Sequence, residues 1–461
     1  RDDARAVFGG GRHRAGDDER HENERTGERV TGHDGRWVRM VGALLTCAIG
    51  CATAPQAQGG RETGPVRPGI TVLLEDSLAV IAGKRIAILT NQTGVDAQGR
   101  SDVDLLVRDP RARRANVQVV RLFSPEHGIR GTADRPDLPD EVDRATGLTV
   151  HSLYLRETIP PPDSLLRDLD ALVFDLQDIG TRTWTYVGLM VYAMRAAARA
   201  GIPFIVLDRP NPLTGRSEGP LLAPELANPE DPSRERRGQA YAMYPAPLRH
   251  GMTMGELARF FAGELKIPVT LHVMPVAGWR RSMWWDETGL EWIVPSPAMV
   301  SPTSALLYPA LVAFESSNLS VGRGTDRPFQ RIGAPWLNAD SLVVLLRDRN
   351  LSGVSFVAER FTPRAPTDAK YAAQSIPGVR IVVEDRDRVQ AGRLAAALLW
   401  SVARVAGDSL RLRPRDFDLR FGVPAAREGL VRGEDPDEVV DRMLPELVGF
   451  QAATRKYLIY R

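Results

Sequence analysis

Short runs of apolar residues alternate with amphipathic segments from about residue 68 onward. Four of the runs predict strands, at residues 85–90, 117–123, 171–176 and 203–208. The segments between them predict helices at residues 102–109, 162–168 and 186–200, and Gly201 follows the last of these as a helix C-cap should. Apolar strands separated by helices are typical of a parallel sheet with helices on both faces. The pattern therefore predicts an α/β fold with a Rossmann-like parallel sheet.

The chain changes character after about residue 280, where tryptophan and proline become frequent. Further on, residues 379–384 predict a strand and residues 392–405 predict a helix. A chain of this length is expected to form two domains rather than a single core. We therefore expect a Rossmann-like domain over residues 67–295 and a smaller α/β or α+β domain over residues 296–461.

Composition places the chain among ordinary soluble globular proteins. Of its 461 residues, 43% are hydrophobic and 26% are charged, and only two are cysteines. The formal net charge is +2, whereas a nucleic-acid-binding surface usually makes a domain strongly basic. We therefore expect no nucleic-acid partner.

The region before the predicted domains has the layout of an export signal. Residues 1–39 begin with Arg, carry many charges and show almost no apolar periodicity, so we expect a disordered segment or a mis-annotated extension there. Residues 40–66 are expected to form a signal and a linker, since a short apolar run follows Arg36 and Arg39.

Both cysteines, Cys47 and Cys51, lie in this predicted signal. The residues from Ala48 to Cys51 resemble a bacterial lipobox, in which the cysteine is lipidated and becomes the first residue of the mature protein. The alternative is a plain signal peptide that is cleaved further on, near Ala57. In both cases we expect export to the periplasm or the cell exterior. In the first case the only expected membrane contact is a lipid anchor at Cys51.

Two well-known nucleotide and dinucleotide motifs are missing from the chain. No G-x-G-x-x-G follows the first predicted strand, and G-x-x-x-x-G-K-[ST] is absent. The four histidines of the folded part are scattered, without the H-x-E or H-E-x-x-H spacing of a metal site. We therefore expect neither a cofactor nor a metal ion.

Glu126 and His127 follow a predicted strand and a proline, within Phe-Ser-Pro-Glu-His-Gly from residue 123. The ligand crevice of an open α/β sheet lies at the carboxyl ends of its strands, so this pair stands where chemistry is expected. A carboxyl group at such a position can serve as a general acid. A glutamate that only stabilises the turn explains the pattern equally well.

The next strand end gathers two carboxylates, an amide, a guanidinium and aromatic rings within thirteen residues. Aromatic faces beside carboxylates suit a sugar ring, which stacks on one face and forms hydrogen bonds at its rim. A structural alternative exists for each member, because an aspartate often ends a buried strand and Asp178 can pair with Arg182. The polar members are Asp175, Gln177, Asp178 and Arg182.

A third strand end reads Leu-Asp-Arg-Pro-Asn-Pro over residues 207–212. Its two prolines restrict the backbone and so aim Asn211, which lies beside Asp208 and Arg209. A rigid crossover loop accounts for the prolines as well, but it accounts less readily for Asp208 and Asn211.

Residues 314–329 form a glycine-rich polar segment that carries two arginines. Glycines let backbone N–H groups approach a ligand, and the side chains of Arg323 and Arg327 suit a carboxylate or a phosphate. The segment lacks the lysine and the helix context of a phosphate cradle. It therefore predicts a general anion site.

Taken together, these segments resemble the DUF1343 family, whose characterised members are exo-acting β-N-acetylmuramidases of the NamZ type. The resemblance runs from about Gly69 to the carboxyl end. Besides the motifs at the three strand ends, it rests on Leu-Thr-Asn-Gln-Thr-Gly-Val from residue 89, Arg-His-Gly-Met-Thr from residue 249, Gly-Trp-Arg-Arg from residue 278 and the segment 318–329.

The resemblance implies a Rossmann-like amino-terminal domain, a smaller carboxyl-terminal domain and an active cleft between them. It also implies release of N-acetylmuramic acid from the non-reducing ends of peptidoglycan fragments. The leading hypothesis is then a glycoside hydrolase in which Glu126 is the general acid or base, with His127, Asp178 and Asp208 close by. Candidates for the second carboxylate that glycosidases commonly use are Asp175, Asp178, Asp208 and Glu315.

The expected substrate is a muropeptide fragment, and its lactyl carboxylate suits Arg182, Arg323 and Arg327 as partners. The full set of expected substrate-binding residues is Asn91, Gln177, Arg182, Arg209, Asn211, His250, Glu315, Asn318, Arg323, Thr325 and Arg327.

One position departs from the family pattern. Family members often read Leu-Ser-Glu-Gly-Arg-Gly-Thr where this chain has Val321 in the place of the glutamate. A surface lipoprotein that binds muropeptides without cleaving them is therefore the main alternative function. A cell-wall esterase or amidase is a further, weaker alternative.

Overall fold

A computed structural model of the chain describes residues 65–131, 138–153, 160–227 and 241–461. The predicted extension, the signal up to residue 64 and Cys51 lie outside these residues. The described helices are α1 (Gly69–Asp76), α2 (Asp102–Arg108), α3 (Pro110–Arg114), α4 (Thr185–Ala200), α5 (Met254–Glu264), α6 (Pro302–Leu311), α7 (Ala339–Asp348), α8 (Ala391–Ala406), α9 (Pro414–Phe421), α10 (Pro424–Arg432), α11 (Pro436–Asp441) and α12 (Leu444–Thr454). The described strands are β1 (Arg85–Thr90), β2 (Gln118–Ser124), β3 (Glu141–Val142), β4 (Thr149–Ser152), β5 (Ala171–Asp175), β6 (Phe204–Leu207), β7 (Glu218–Leu221), β8 (Pro247–Arg249), β9 (Leu271–Met274), β10 (Arg331–Gly333), β11 (Val354–Phe361) and β12 (Ile376–Val383).

A seven-stranded sheet forms the centre of the amino-terminal part, with the strand order β3-β4-β2-β1-β5-β6-β9. Its strands are parallel except for the short edge strand β3, which is antiparallel to β4. The strand order reverses at β1, because the chain places β2 on one side of β1 and later places β5 on the other. Such a switch opens a crevice at the carboxyl ends of the strands.

Successive side chains of β1 enter two different hydrophobic clusters. Ile86 and Ile88 pack into the cluster that contains residues of α1 and α2. Ala87 and Leu89 pack into the cluster that contains α4 and most of the carboxyl-terminal helices. The strand reads as a continuous apolar run because both faces of the sheet are covered.

The four predicted strands are confirmed as β1, β2, β5 and β6, with bounds that shift by one residue. The predicted helices α2, α4 and α8 and the predicted strand β12 are confirmed as well, within three residues. Gly201 caps α4 with a φ of 68°, and its N–H approaches the carbonyls of Ala197 and Ala198. This is the left-handed conformation that favours glycine at a helix end.

The prediction of a helix at residues 162–168 is wrong. Only a single 3₁₀ turn forms there, at Asp163–Leu165. Three consecutive prolines precede the turn, and β5 begins at Ala171. The few residues between them cannot gain the cooperative hydrogen bonding that offsets the cost of starting an α-helix.

The carboxyl-terminal part is built on a three-stranded antiparallel sheet of order β10-β12-β11. Helix α7 packs against this sheet, and α8 packs against α6, α7, α10 and α11. An antiparallel sheet beside helices is the α+β form of the two forms expected here. Residues 61–461 make one compact unit, and the expected boundary near residue 295 stays a prediction.

None of the helices in the four described ranges combines the length and the apolar character that crossing a bilayer requires.

Candidate active site

A cavity of about 320 Å³ opens where the carboxyl end of the large sheet meets the helices of the carboxyl-terminal part. Residues from both parts of the chain line it, and carboxylates, guanidinium groups and aromatic rings face the same space. A concave site with a few convergent polar groups is the usual form of a small-molecule site. The lining residues are Glu126, His127, Thr183, Trp184, Thr185, Tyr186, Tyr241, Ser296, Tyr308, Val312, Glu315, Arg323, Asp416 and Arg420.

Glu126 reaches the cavity from the turn after β2. The N–H of Gly128 donates to the carbonyl of Pro125 at 3.1 Å, and His127 between them has a left-handed φ of 73°. This φ is uncommon for a residue other than glycine, so the surroundings must hold the turn in place. From the first residue of α4, Thr185 Oγ1 donates to Glu126 Oε2 at 2.8 Å. The half-buried carboxyl group is therefore oriented by a fixed hydroxyl group.

Tyr186 lies beside Glu126 on the wall of the cavity and is tied at its hydroxyl group. Asn91 Nδ2 donates to the hydroxyl oxygen at 3.0 Å, and the hydroxyl donates to the carbonyl of Pro295 at 3.0 Å. Burial, with the nearby charge of Glu126, raises the pKa of Tyr186, so the phenol keeps its proton. Asn91, expected to bind substrate, instead supports the tyrosine that lines the site.

Glu315 lines the same cavity from a 3₁₀ turn that follows α6. Arg323 Nε donates to Glu315 Oε1 at 2.6 Å, and the guanidinium carbon lies 5.2 Å from the ring centre of Phe329. Thr325 Oγ1 donates to the carbonyl of Gly322 at 2.7 Å and so closes the glycine-rich loop below Arg323. The glutamate thus enters the cavity as one half of a charge-assisted pair.

Several lining residues have no counterpart among the residues expected from the sequence. Arg420 comes from α9, where its Nη1 donates to the carbonyl of Asp416 at 3.0 Å and its guanidinium lies 4.8 Å from the ring centre of Tyr241. Tyr308 from α6 packs edge-on against Trp184, with 5.9 Å between ring centres. No motif marks these positions, because only the packing of α6 and α9 against the sheet brings them to Glu126.

Asp178 and His250, two further expected site residues, form a buried pair that does not line this cavity. Asp178 Oδ2 accepts from the N–H of Gly180 at 2.5 Å and lies 3.1 Å from His250 Nε2. The N–H of Met252 donates to His250 Nδ1 at 3.1 Å, so Nε2 carries the ring proton and donates to Asp178. The pair joins the loop after β5 to the loop before α5.

Asp208 is fully buried and also lies outside the cavity. Its carboxylate accepts from the N–H of Gly255 at 2.7 Å, from Thr253 Oγ1 at 2.7 Å and from the hydroxyl of Tyr460 at 2.5 Å. Burial outweighs these donors and raises the pKa of Asp208 to about 6. The geometry is that of a carboxylate that holds the start of α5 and residue 460 against the sheet.

Asp175 and Arg209 form a buried ion pair at the ends of β5 and β6. Arg209 donates to both carboxylate oxygens of Asp175, and its Nη2 donates to the carbonyl of Val95 at 2.9 Å. Desolvation raises the pKa of Asp175 and, more strongly, that of the neighbouring Asp102. Neither Asp175 nor Arg209 lines the cavity of Glu126.

Arg182 holds the end of α9 rather than facing the cavity. Its Nη1 donates to the carbonyl of Leu419 at 2.9 Å and its Nη2 to the carbonyl of Arg420 at 2.8 Å. Burial lowers the pKa of Arg182 to about 9, which still leaves the group charged at neutral pH. It thereby fixes the backbone of the residue whose side chain does line the cavity.

The remaining expected ligands also lie elsewhere. Asn211 Nδ2 donates to the carbonyl of Met252 at 2.9 Å, and Asn318 Nδ2 donates to the carbonyl of Ser409 at 2.8 Å. Gln177 lines a separate, smaller cavity, and Arg327 lines a third one beside Trp284. Of the residues expected from the sequence, the structure thus brings Glu126, His127, Glu315 and Arg323 together.

Val321, the position that departs from the family pattern, is fully buried. Its carbonyl accepts from the N–H of Phe329 at 2.8 Å, and its side chain belongs to the main hydrophobic cluster. It does not line the cavity. Within the described ranges, no group of three or more His, Cys, Asp or Glu side chains has the arrangement of a metal site.

The fold and the cavity together define a two-part α/β protein with a carboxylate-lined site between its parts. Two family models match the chain in sequence order: the amino-terminal model of the exo-β-N-acetylmuramidase NamZ over residues 86–303 and the carboxyl-terminal model over residues 306–460. The chain belongs to the NamZ exo-β-N-acetylmuramidase family.

Individual proteins agree with this assignment. The peptidoglycan β-N-acetylmuramidase NamZ of Bacillus subtilis strain 168 is 37% identical over 426 residues, which cover 91% of this chain and 98% of the relative. A crystal structure of a DUF1343 family protein from Bacteroides fragilis superposes with a TM-score of 0.76 at 33% identity, covering 86% of this chain and 99% of that one. A second one from the same organism gives a TM-score of 0.66 at 27% identity, with the same coverage.

Proposed function

We propose that the protein is an exo-acting glycoside hydrolase that releases N-acetylmuramic acid from the non-reducing ends of peptidoglycan fragments. The observation that carries the proposal is the presence of two glutamates, Glu126 and Glu315, on one cavity between the two parts of the fold. Glycosidases commonly act through two carboxyl groups that flank the scissile bond. The activity for which the Bacillus subtilis relative is named supports the same reaction.

Glu126 is the general acid of the proposed mechanism. Its carboxyl group is half-buried and oriented by the hydroxyl of Thr185, so it can protonate the glycosidic oxygen of a sugar bound in the cavity. As the aglycone leaves, positive charge develops on the sugar ring, and the paired carboxylate of Glu315 stabilises it from within the same space. Glu126 then takes a proton from the incoming water when the sugar is released.

Two arginines and several aromatic rings supply recognition of the sugar. Arg420 and Arg323 bring positive charge to the cavity, which suits the lactyl carboxylate of N-acetylmuramic acid. Tyr186, Tyr308 and Trp184 offer ring faces and edges for the apolar side of the sugar. Arg323 is therefore still proposed as a partner of that carboxylate. Arg182 does not line the cavity, and Arg420 is proposed in its place.

The main alternative, a protein that binds muropeptides without cleaving them, depends on Val321. Since that side chain is buried in the core and does not line the cavity, its replacement of a glutamate removes no carboxylate from the space beside Glu126. Hydrolysis therefore has the better support.

Glu126→Gln is expected to lower kcat for a chromogenic N-acetylmuramide by about 10²–10⁴-fold, because the amide cannot give up a proton to the leaving group. The matched control is Glu446→Gln, which changes an exposed glutamate on α12. Both variants should unfold at the temperature of the parent protein. Unchanged turnover in the Glu126 variant would exclude it as the general acid, and product analysis by mass spectrometry would show whether N-acetylmuramic acid is released at all.

We also propose that the protein is exported and held at the membrane by a lipid on Cys51. The support is the lipobox-like pattern of residues 48–51 and the extracytoplasmic position of the cell wall. Cys51→Ala should abolish incorporation of labelled fatty acid and release the protein from the membrane fraction, while Cys47→Ala should do neither. Equal labelling of both variants would contradict the anchor.

A further inference from the structure

The loop between β11 and β12, residues 362–375, forms hydrogen bonds with the part of the site that carries Glu315. It bends back on itself, because the N–H of Ala373 donates to the carbonyl of Pro363 at 2.8 Å. Conformations with a left-handed φ are uncommon for residues other than glycine and persist where surrounding contacts outweigh their cost. Four such residues, with φ between 44° and 59°, lie in this loop: Ala365, Ala369, Tyr371 and Ala373.

Lys370 of this loop bonds three backbone carbonyls around Glu315. Its Nζ donates to the carbonyl of Leu319 at 2.8 Å, to that of Glu315 at 3.0 Å and to that of Phe314 at 3.4 Å. The 3₁₀ turn Val312–Ser316 ends here, and the end of a helix leaves carbonyls without partners inside it. An ammonium nitrogen carries three tetrahedral donors, whereas the donors of a guanidinium group lie in one plane. Three converging carbonyls thus match a lysine, in a chain where only four of the 60 Lys and Arg residues are lysine.

The ammonium group of Lys370 lies among charges and is largely shielded from solvent. Its side chain is 15% exposed, and Nζ lies 3.6 Å from Asp368 Oδ2. Burial lowers the pKa of Lys370, and the negative charges of Asp368 and Glu315 oppose that shift. The hydroxyl of the next residue, Tyr371, donates to the carbonyl of Asn318. Two adjacent side chains of the loop therefore bond the backbone on either side of Glu315 and just after it.

The same loop holds Arg323, the arginine that pairs with Glu315. Arg323 Nη1 donates to Thr367 Oγ1 at 3.5 Å, and the N–H of Arg364 donates to the carbonyl of Gly324 at 2.7 Å. A β-carbon at Gly324, whose φ is 74°, would lie 2.6 Å from the carbonyl oxygen of Arg364. The two backbones thus approach each other closely, and both members of the ion pair are bonded to one loop.

We propose that Lys370 is a positioning residue for Glu315, and that the β11–β12 loop sets the geometry of the pair of Glu315 and Arg323. This role rests on the proposed function, in which Glu315 stabilises the charge that develops on the sugar. Lys370 does not line the cavity, so it acts through Glu315 and not on the substrate. A catalytic group must be held within about 0.5 Å of its productive position by the residues behind it. Lys370 does this by fixing the backbone from which the carboxylate extends.

Steady-state kinetics of Lys370→Met with a chromogenic N-acetylmuramide test this role. The value of kcat should fall by about 10–10²-fold, because a small misplacement of a catalytic group is costly. KM should change less than threefold, because Arg420 keeps its place. Lys370→Arg keeps the charge but not the three-way bonding, so its kcat should stay at least threefold below that of the parent. Lys266→Met, at an exposed position after α5, should have the kcat of the parent.

Tyr371→Phe is a milder second variant, which keeps the ring and removes only the hydroxyl bonded to Asn318. It should lower kcat at least twofold without a change in melting temperature. Hydrogen exchange read by mass spectrometry follows the turn without the use of enzymatic activity. The amides of residues 316–322 should exchange at least tenfold faster in Lys370→Met and measurably faster in Tyr371→Phe, while those of β5 should not change.

Several outcomes would overturn the proposal. A parental kcat in Lys370→Met, even with faster exchange, would reduce Lys370 to a stabiliser of the turn. Full activity in Lys370→Arg would show that charge alone is sufficient. Unchanged kcat and unchanged exchange in Tyr371→Phe would remove the role of the loop, whether or not Lys370→Met folds.

The failure of the hydrolase proposal has a different signature, which is a parent protein that releases no N-acetylmuramic acid. Hydrogen exchange then decides the positioning role by itself. Faster exchange at residues 316–322 in Lys370→Met would support it, and unchanged exchange would overturn it.

Discussion

His127 has a strained backbone conformation at the point where Glu126 enters the cavity. A left-handed φ of 73° at a residue with a β-carbon is disfavoured and persists only where neighbouring contacts outweigh it. Here the following Gly128 is also left-handed, and Thr185 holds the carboxyl group from the start of α4. The turn thus fixes the direction of one side chain, which is what a general acid requires.

The proposed role of Glu315 predicts a large loss of turnover when its charge is removed. Glu315→Gln is expected to lower kcat by about 10²–10⁴-fold, because an uncharged amide cannot stabilise the positive charge that develops on the sugar ring.

Steady-state rates of the Glu315 variant with a chromogenic N-acetylmuramide are the measurement, and Glu446→Gln at an exposed position on α12 is the control. A Glu315 variant with an unchanged rate would assign that carboxylate to the ion pair with Arg323 alone.

Single residues were the least predictable part of the site. Glu126 and His127 could be found because a turn after a strand concentrates them in one short motif. Asp178 and Asp208 also follow strands, β5 and β6, yet their carboxylates accept buried hydrogen bonds from Gly180, Gly255 and Thr253. The direction of a side chain at a strand end depends on what packs there, and the local sequence does not state it.

At the scale of elements, the guanidinium group of Arg182 connects α9 to the loop that follows β5. Arg182 donates to the carbonyls of Leu419 and Arg420 near the end of this helix. The side chain of Arg420 lines the cavity from the same turn. A buried carbonyl that loses its hydrogen-bond donor destabilises the folded state by about 1–3 kcal/mol. The position of Arg420 therefore depends on Arg182, which acts as a positioning residue.

Arg182→Met is expected to raise KM for the muramide substrate more than it lowers kcat. The reason is that Arg420, the proposed partner of the lactyl carboxylate of the substrate, loses its support, while Glu126 is unchanged. Arg182→Lys, which keeps one donor group, should show a smaller rise. Arg415→Met, on the exposed side of α9, is the matched control. A fall in melting temperature with an unchanged KM would reduce Arg182 to a purely structural role.

Elements were predicted well where the apolar pattern was long and unbroken. The strands β1, β5 and β6 are buried on both faces, and β2 is buried over its last three residues, so their apolar composition identifies them. The half-buried β9 and the two-residue β3 lack such a run. Strand order is set by contacts between distant parts of the chain, and no local pattern contains it.

At the scale of the whole molecule, Asp208 couples stability to pH. Its pKa in the folded protein is about 6, against 3.8 for an unperturbed aspartate, so the folded state binds the proton more tightly than the unfolded state does. The folded protein is thus favoured below this window, and its stability falls as the pH rises from about 4 to about 6. A shift of this size corresponds to about 3 kcal/mol across the window.

Asp208→Asn is expected to remove this contribution, so that its stability relative to the parent protein improves as the pH rises from about 4 to about 6. Urea denaturation at several pH values measures the difference. Asp348→Asn, at an exposed position at the end of α7, is the control. A constant difference between parent and Asp208 variant throughout the range would show that Asp208 is not the titrating group.

The contact between Asp208 and Tyr460 also bears on how the chain folds during synthesis. Asp208 accepts a hydrogen bond from Tyr460, which lies 252 positions later in the chain. Ribosomes add about 5–20 residues per second, so about 10–50 s separate the synthesis of the two partners. Once β9 has been made, the large sheet has all its strands for the rest of that interval but not the residue that closes over the end of β6. A nascent chain is therefore expected to remain open to chaperones at the end of β6 until Tyr460 has been made.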